Sequence, residues 1–294
     1  MDSITHKITL IFIIISICLC ICLCAGCEKS GEATQVSPIN LPEGLFINAD
    51  IKEQIIFDSL GIIIKAISLN MNADSGPVLL ISGENTSNIS RIVTIKNCSV
   101  NNLMVEPEFE MQLNPKGKNM CEAVFSKQYL LTANIETFSS ISFVIHIAEA
   151  NDRSIFIDTD QINIITSMAG IYMQKFDFPG ISLVDSKNVK ISVMKKTNAE
   201  AVLSKQIYLY IDNSLSEDII IEAIETYING IKLESMFFHT VCAGKKSWVC
   251  LSFRDCDIVE KGIVDIDELI ISFRVFSIFG TIINAEGCKI EFSV

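Results

Sequence analysis

Val100-Asn101-Asn102-Leu103 and Ile228-Asn229-Gly230-Ile231 lie 128 residues apart, and each sits between two runs of strand-forming residues. Asn-Gly between such runs is the strongest short hairpin signal, because both central residues of a type I′ turn need positive φ. Asn101 and Asn102 stand at the equivalent place, and asparagine tolerates that region better than most residues. The two stretches therefore read as hairpin turns at Asn101, Asn102, Asn229 and Gly230. Their spacing raises the question of a repeat.

Extending the 128-residue shift outward pairs Asn85 with Asn213, Ile92 with Ile220, Glu106 with Glu234, Phe109 with Phe237, Lys118 with Lys246 and Phe125 with Phe253. With Asn101 and Asn229 this makes seven identities over the 42 positions from Asn85, where composition alone gives about two or three. A two-residue slip then aligns Ile141-Ser142-Phe143 with Ile271-Ser272-Phe273. Apolar positions and turn residues stay in phase, as two copies of one β-fold retain them.

Between the turns run short stretches rich in Ile, Val, Phe and Thr, among them Lys190–Met194 and Gln206–Ile211, and no long segment holds a 3.6-residue period. Short helical turns fit only near Asn198–Leu203 and Ile258–Lys261. Further turns fall at Asn114-Pro115-Lys116-Gly117 and Ala243-Gly244-Lys245-Lys246. Seven or so strands in each copy predict an all-β chain of two tandem immunoglobulin-like β-sandwiches. The first takes residues 45–166 and the second 167–294.

The series Asp212-Asn213-Ser214, Tyr227-Ile228-Asn229-Gly230, Ala243-Gly244-Lys245-Lys246 and Ile271-Ser272-Phe273 resembles a pattern in immunoglobulin-like modules of lipoproteins from low-GC Gram-positive bacteria. It covers mainly the second copy. The resemblance implies an extracytoplasmic, membrane-anchored protein that is not an enzyme.

The amino-terminal region points the same way. A polar start ending at Lys7 precedes an uncharged run from Ile8 to Gly26, which closes in Leu23-Cys24-Ala25-Gly26-Cys27. That is the layout of an export signal. Its ending resembles the lipobox of bacterial lipoproteins, with Cys24 where that family usually has leucine. The resemblance implies a signal peptide over 1–27 and diacylation of Cys27, which becomes the new N-terminus. The alternative is an uncleaved signal anchor, since 19 uncharged residues can just span hydrocarbon as a helix.

Either way the membrane is a partner. Residues 28–44 are polar, with two prolines, and read as a flexible tether. Stretched at about 3.3 Å per residue, it reaches roughly 55 Å.

Charge narrows the function classes. Lys and Arg number 23 against 35 Asp and Glu, a net −12, and the leader removes only Asp2 and Lys7. An acidic surface repels phosphate backbones, so nucleic acid is excluded as a partner.

Six cysteines lie beyond the leader, and the repeat aligns none of them with another. Cys242 and Cys250 flank the Gly244-Lys245 turn and could meet across a hairpin as a disulfide; otherwise they are small apolar residues. No C-x-x-C follows the leader, and neither His146 nor His239 has a metal-spaced neighbour, so no metal or other cofactor is expected.

Catalytic motifs are absent: there is no H-E-x-x-H, no G-x-S-x-G and no phosphate loop. Gly244-Lys245-Lys246-Ser247 lacks the upstream glycine of a Walker motif and reads as a turn. Ser192 and Lys195 satisfy S-x-x-K, but in a strand they point to opposite faces. The acidic pairs Asp158/Asp160, Asp255/Asp257 and Asp265/Asp267 lack the spacing of a calcium loop. Trp248 aligns with Met120, as a core residue would, and with so few aromatic platforms glycan binding has no support.

The expectation is a lipid-anchored module for binding or adhesion to a surface protein. A structural spacer or assembly subunit of an envelope complex is the alternative.

Overall fold

The computed structural model describes residues 46–176, 180–197, 205–235 and 237–292. Cys27, the leader, the tether over 28–44 and the turn expected at 198–203 lie outside them.

The first half forms β1 (Gln54–Ser59), β2 (Ile62–Asn70), β3 (Val78–Asn85), β4 (Arg91–Val100), β5 (Leu103–Met104), β6 (Glu110–Leu113) and β7 (Lys118–Val124). After a short helix, α1 (Lys127–Thr132), come β8 (Ser140–Glu149), β9 (Phe156–Asp158) and β10 (Ile162–Ile165). One sheet has the order β1-β2-β3-β7; the opposing strands β10, β8, β4 and β5 pair in that order, with β6 beside β4 and β9 beside β8. These are the two layers of a Greek-key β-sandwich of immunoglobulin type. Alternation explains the strands: in β3, Leu79 and Ile81 are fully buried while Leu80 and Ser82 are partly exposed.

The second half repeats the plan, with one long last strand where the first has β9 and β10. It has β11 (Ile181–Ser186), β12 (Val189–Thr197), β13 (Lys205–Asn213), β14 (Ile219–Ile228), β15 (Ile231–Leu233), β16 (Phe238–Val241), β17 (Lys246–Leu251), α2 (Asp255–Glu260), β18 (Glu268–Ser277) and β19 (Gly280–Glu291). From β4 against β14 to β8 against β18, each element starts 128 residues after its counterpart. The pairing is also duplicated: β11-β12-β13-β17 form one layer, and β15-β14-β18-β19, with β16 beside β14, form the other. Helix α2 covers the turn expected near Ile258–Lys261.

The hairpin residues take the backbone that their identities favour. Asn101, Asn102, Asn229 and Gly230 have φ of 51°, 68°, 51° and 76°. The asparagine side chains do more than permit a turn. Asn101 Oδ1 accepts from Ser139 N and Ser140 N, and its Nδ2 donates to Thr137 O at 2.7 Å. Asn229 Oδ1 accepts from Asp267 N and Glu268 N, and its Nδ2 donates to Asp265 O at 2.9 Å. Each bolts its hairpin to the start of the strand that follows the helix.

A second pair, Asn85 and Asn213, is fully buried; Asn85 donates Nδ2 to the carbonyls of Ile89 and Leu113, and Asn213 donates to those of Glu217, Val241 and Cys242. Buried amides satisfied in this way cost little in place and much when truncated.

Of the two readings of Cys242 and Cys250, the possible disulfide gives way to the alternative: both are free thiols. The Ala243–Lys246 turn is not a hairpin. It carries the chain from β16, which pairs with β14, to β17, which pairs with β13 in the opposing layer. Cys250 lies on β17 and Cys242 one residue past β16, so the two flank a crossing between sheets. Asn114–Gly117 makes the same crossing from β6 to β7.

The halves join through one sheet. Lys246 of β17 pairs in parallel with Leu103 of β5, so the second layer of the first sandwich runs on into the first layer of the second. Among the described residues this makes a ten-stranded sheet.

Candidate functional site

Where the sandwiches meet, the first half presents the end of its β4–β5 hairpin and α1, and the second half presents β16, β17 and the outer face of β12 and β13. On that face Met194, Tyr208, Tyr210 and Trp248 pack with the first half's core, while their strand neighbours Ile191, Val193, Ile207, Leu209, Ile211 and Leu251 pack into the second. Trp248 is 2% exposed and stacks on Tyr208 with ring centroids 5.5 Å apart. Its counterpart Met120 is 57% exposed. The alignment of the two as equivalent core residues is thus corrected: Trp248 is buried by the other sandwich, not by its own.

Polar contacts fix the junction. Lys246 N donates to Asn102 O and Lys245 Nζ to Asn102 Oδ1, both at 2.9 Å. Tyr129 of α1 donates its hydroxyl to Met104 O at 2.7 Å and accepts from the Trp248 backbone. Desolvation raises its pKa, as for any phenol whose anion would lose water. Cys242 N points at Met104 Sδ, 3.2 Å away. Burial likewise raises the Cys242 thiol to about 11 and keeps it an inert apolar filler.

Beside this junction lies a cleft of about 670 Å³, walled by Cys98, Met104, Val105, Glu106 and Tyr129 on one side and by Phe238–Thr240 and Ser247–Val249 on the other. It is an apolar hollow with a few polar groups, the usual make-up of a binding site. On the second-sandwich side His239 Nε2 and Ser247 Oγ are 2.6 Å apart. Burial lowers the His239 pKa, which keeps the ring neutral near pH 7. A catalytic triad would need an orienting carboxylate on the ring. Among the described residues none is hydrogen-bonded there, so the pair offers hydrogen-bonding capacity to an occupant.

The other sequence candidates lie elsewhere. His146 Nδ1 is 2.5 Å from Asp158 Oδ1 and 2.7 Å from Lys96 Nζ, with the Phe156 ring tilted against it at 4.9 Å, a polar cluster on the outside of β8. Lys195 Nζ donates to Ile266 O at 2.6 Å, away from the Ser192 face. No group of three His, Cys, Asp or Glu able to hold a metal occurs among the described residues. Of the hairpin residues, Asn102 reaches the junction through Lys245 and Lys246, and none of the four lines the cleft.

Sequence reasoning missed Met104, Tyr129, Tyr208 and Tyr210. A signal existed for Tyr208 and Tyr210: in Gln206–Ile211 both faces of the strand are bulky, which one-sided burial does not require.

No family model and no curated protein matches the chain. Among solved structures it is similar to the YadV chaperone, at 10% identity over 79% of this chain and 100% of that one, with a TM-score of 0.25. It is also similar to the Pseudomonas aeruginosa CupB2 chaperone, at 12% identity over 71% and 93%, with a TM-score of 0.20. Likeness this slight carries no argument about function.

Proposed function

We propose that the chain is a lipid-anchored extracytoplasmic protein whose tandem sandwiches, divided near residue 166, form a non-enzymatic module for binding or adhesion to a surface protein. The anchor rests on Leu23–Cys27, with Cys27 as the acylated residue. Two acyl chains hold stably where one would be marginal. The observation that carries the binding reading is the cleft at the junction, apolar with the His239–Ser247 pair set into it.

Crosslinking on intact cells tests this. Partner adducts that map to Phe238–Val249 support binding at the cleft, and adducts confined to other surfaces refute it. Palmitate labelling that survives Cys27→Ala refutes the anchor.

The fixed junction favours a second reading, a spacer or assembly subunit that holds two sandwiches at one angle. In that case the cleft has no occupant, and filling it by Thr240→Trp leaves the protein's partners unchanged.

A further inference from the structure

Strand β16 is an open edge, and its counterpart β6 shows how such an edge is ordinarily protected. Both pair on one side only, with β14 and β4 respectively. In β6 the outward side chains are Glu110 and Gln112, and Glu110 is ion-paired to Arg153 at 3.5 Å. A charged side chain on an edge deters other strands from adding to it. In β16 the equivalent positions are Phe238 and Thr240, and Phe238 is 53% exposed. From Phe237 to Cys242 the edge contains no charge, proline or glycine.

The register settles which backbone groups lie open. Ala223 N donates to Phe237 O, and His239 and Val241 pair with Ile221 and Ile219. An antiparallel ladder alternates, so Phe237, His239 and Val241 turn their amides to β14, and Phe238, Thr240 and Cys242 turn theirs outward. Cys242 N follows this rule by donating to Met104 Sδ of the first sandwich. Beyond that contact the edge borders the cleft, to which Phe238 and Thr240 both contribute.

We propose that β16 takes up an extended segment of a partner protein as an added strand, laid between Phe238–Thr240 and the wall at Met104–Glu106. This rests on the binding reading and names its partner chemistry. Main-chain bonds to Phe238 and Thr240 supply affinity, and alternate side chains supply selectivity. On the outer face the partner's side chains pack beside Phe238 and Phe276, whose rings are 6.1 Å apart. On the cleft face they meet Met104 and the His239–Ser247 pair. The segment is therefore apolar at alternate positions, and it is uncharged or basic, because Glu106 and a net charge of −12 oppose an acidic one.

The full-length chain, held in detergent, is used to select a displayed library of short linear peptides. The expected result is enrichment of alternating apolar sequences whose affinity falls about tenfold or more in Phe238→Glu and in Thr240→Lys, and is unchanged in Met120→Glu. The same peptides are expected to slow amide exchange at Phe238 and Thr240. Peptides that bind both variants as they bind the wild type overturn the proposal, as does failure to enrich any alternating sequence. A concentration-dependent dimer abolished by Phe238→Glu also overturns it, since a second copy would then hold the edge. If surface crosslinks on cells persist in Phe238→Glu, the binding reading stands and the strand site falls. If wild-type cells give no crosslinks, the binding reading falls and peptide selection still decides the site.

Discussion

The outer face of β2, β3 and β7 and the outer face of β12, β13 and β17 are the same surface built twice. In the first half its central row is Lys65, Ser82 and Met120; in the second it is Ser192, Tyr210 and Trp248. The first lies open as a groove of about 540 Å³, rimmed by the Lys118–Glu84 and Lys65–Glu53 ion pairs. The second is covered. The covering end differs in the same sense: Met104 and Tyr129, which contact the second half, correspond to Lys232 and Asp257, which sit among ion pairs with Glu225 and Arg254. One fold thus carries a contact surface where it has a neighbour and a solvated one where it has none. Strand order is common to both copies, and the contrast between these surfaces is carried by five pairs of side chains.

The largest break in that comparison should come from Trp248→Ala set beside Met120→Ala. Emptying the Trp248 site should cost about 3–5 kcal/mol, as for large buried aromatics, and Met120→Ala should stay within about 0.5 kcal/mol. Urea denaturation of both variants measures the gap; equal costs would show that Trp248 is not held by the other sandwich.

Next come the bolting asparagines. Asn101→Ala leaves amides of Ser139 and Ser140 without an acceptor, at about 1–3 kcal/mol each. Asn229→Ala, in a more exposed turn, should cost less than Asn101→Ala under the same denaturation.

A smaller effect belongs to Tyr129→Phe, which keeps the ring and loses the bridge between Met104 O and the Trp248 backbone. The expected loss is about 0.5–1.5 kcal/mol, with faster amide exchange at Trp248. Unchanged exchange there would mean that the hydroxyl does not tie the sandwiches.

The smallest is a pH effect. His239 is a base whose folded pKa is lowered by burial, so its neutral form is the one that folding favours. Its contribution is complete above the unfolded value, near 6.5, and is lost as pH falls from there toward the folded value. Thermal midpoints should therefore drop more between pH 7 and pH 5 in the wild type than in His239→Gln, and parallel curves would remove His239 from the account.

Much of the fold was legible because it depends on local rules. The Asn-Asn and Asn-Gly turns, the period-2 runs and the 128-residue phase each follow from backbone sterics and one-sided burial. The hairpin that a Cys242–Cys250 disulfide needed is missing for a nearby reason: Ala243–Lys246 has turn composition whether the chain folds back in one sheet or crosses to the other. Of the candidate site little could be read, since Met104, Tyr129, His239 and Ser247 lie far apart along the chain and carry no motif.

By itself the sequence determined that this is a duplicated β-protein with a net charge of −12 and asparagine-capped hairpins, because turn chemistry and alternation act over a few residues. Only the tertiary structure decided that Trp248 and Tyr210 face another sandwich, that Cys242 and Cys250 flank a crossing between sheets, and that β16 lies open where β6 is guarded. Those outcomes depend on which surface meets which: bulky residues on both faces of Gln206–Ile211 mark a strand buried twice, but not what buries it.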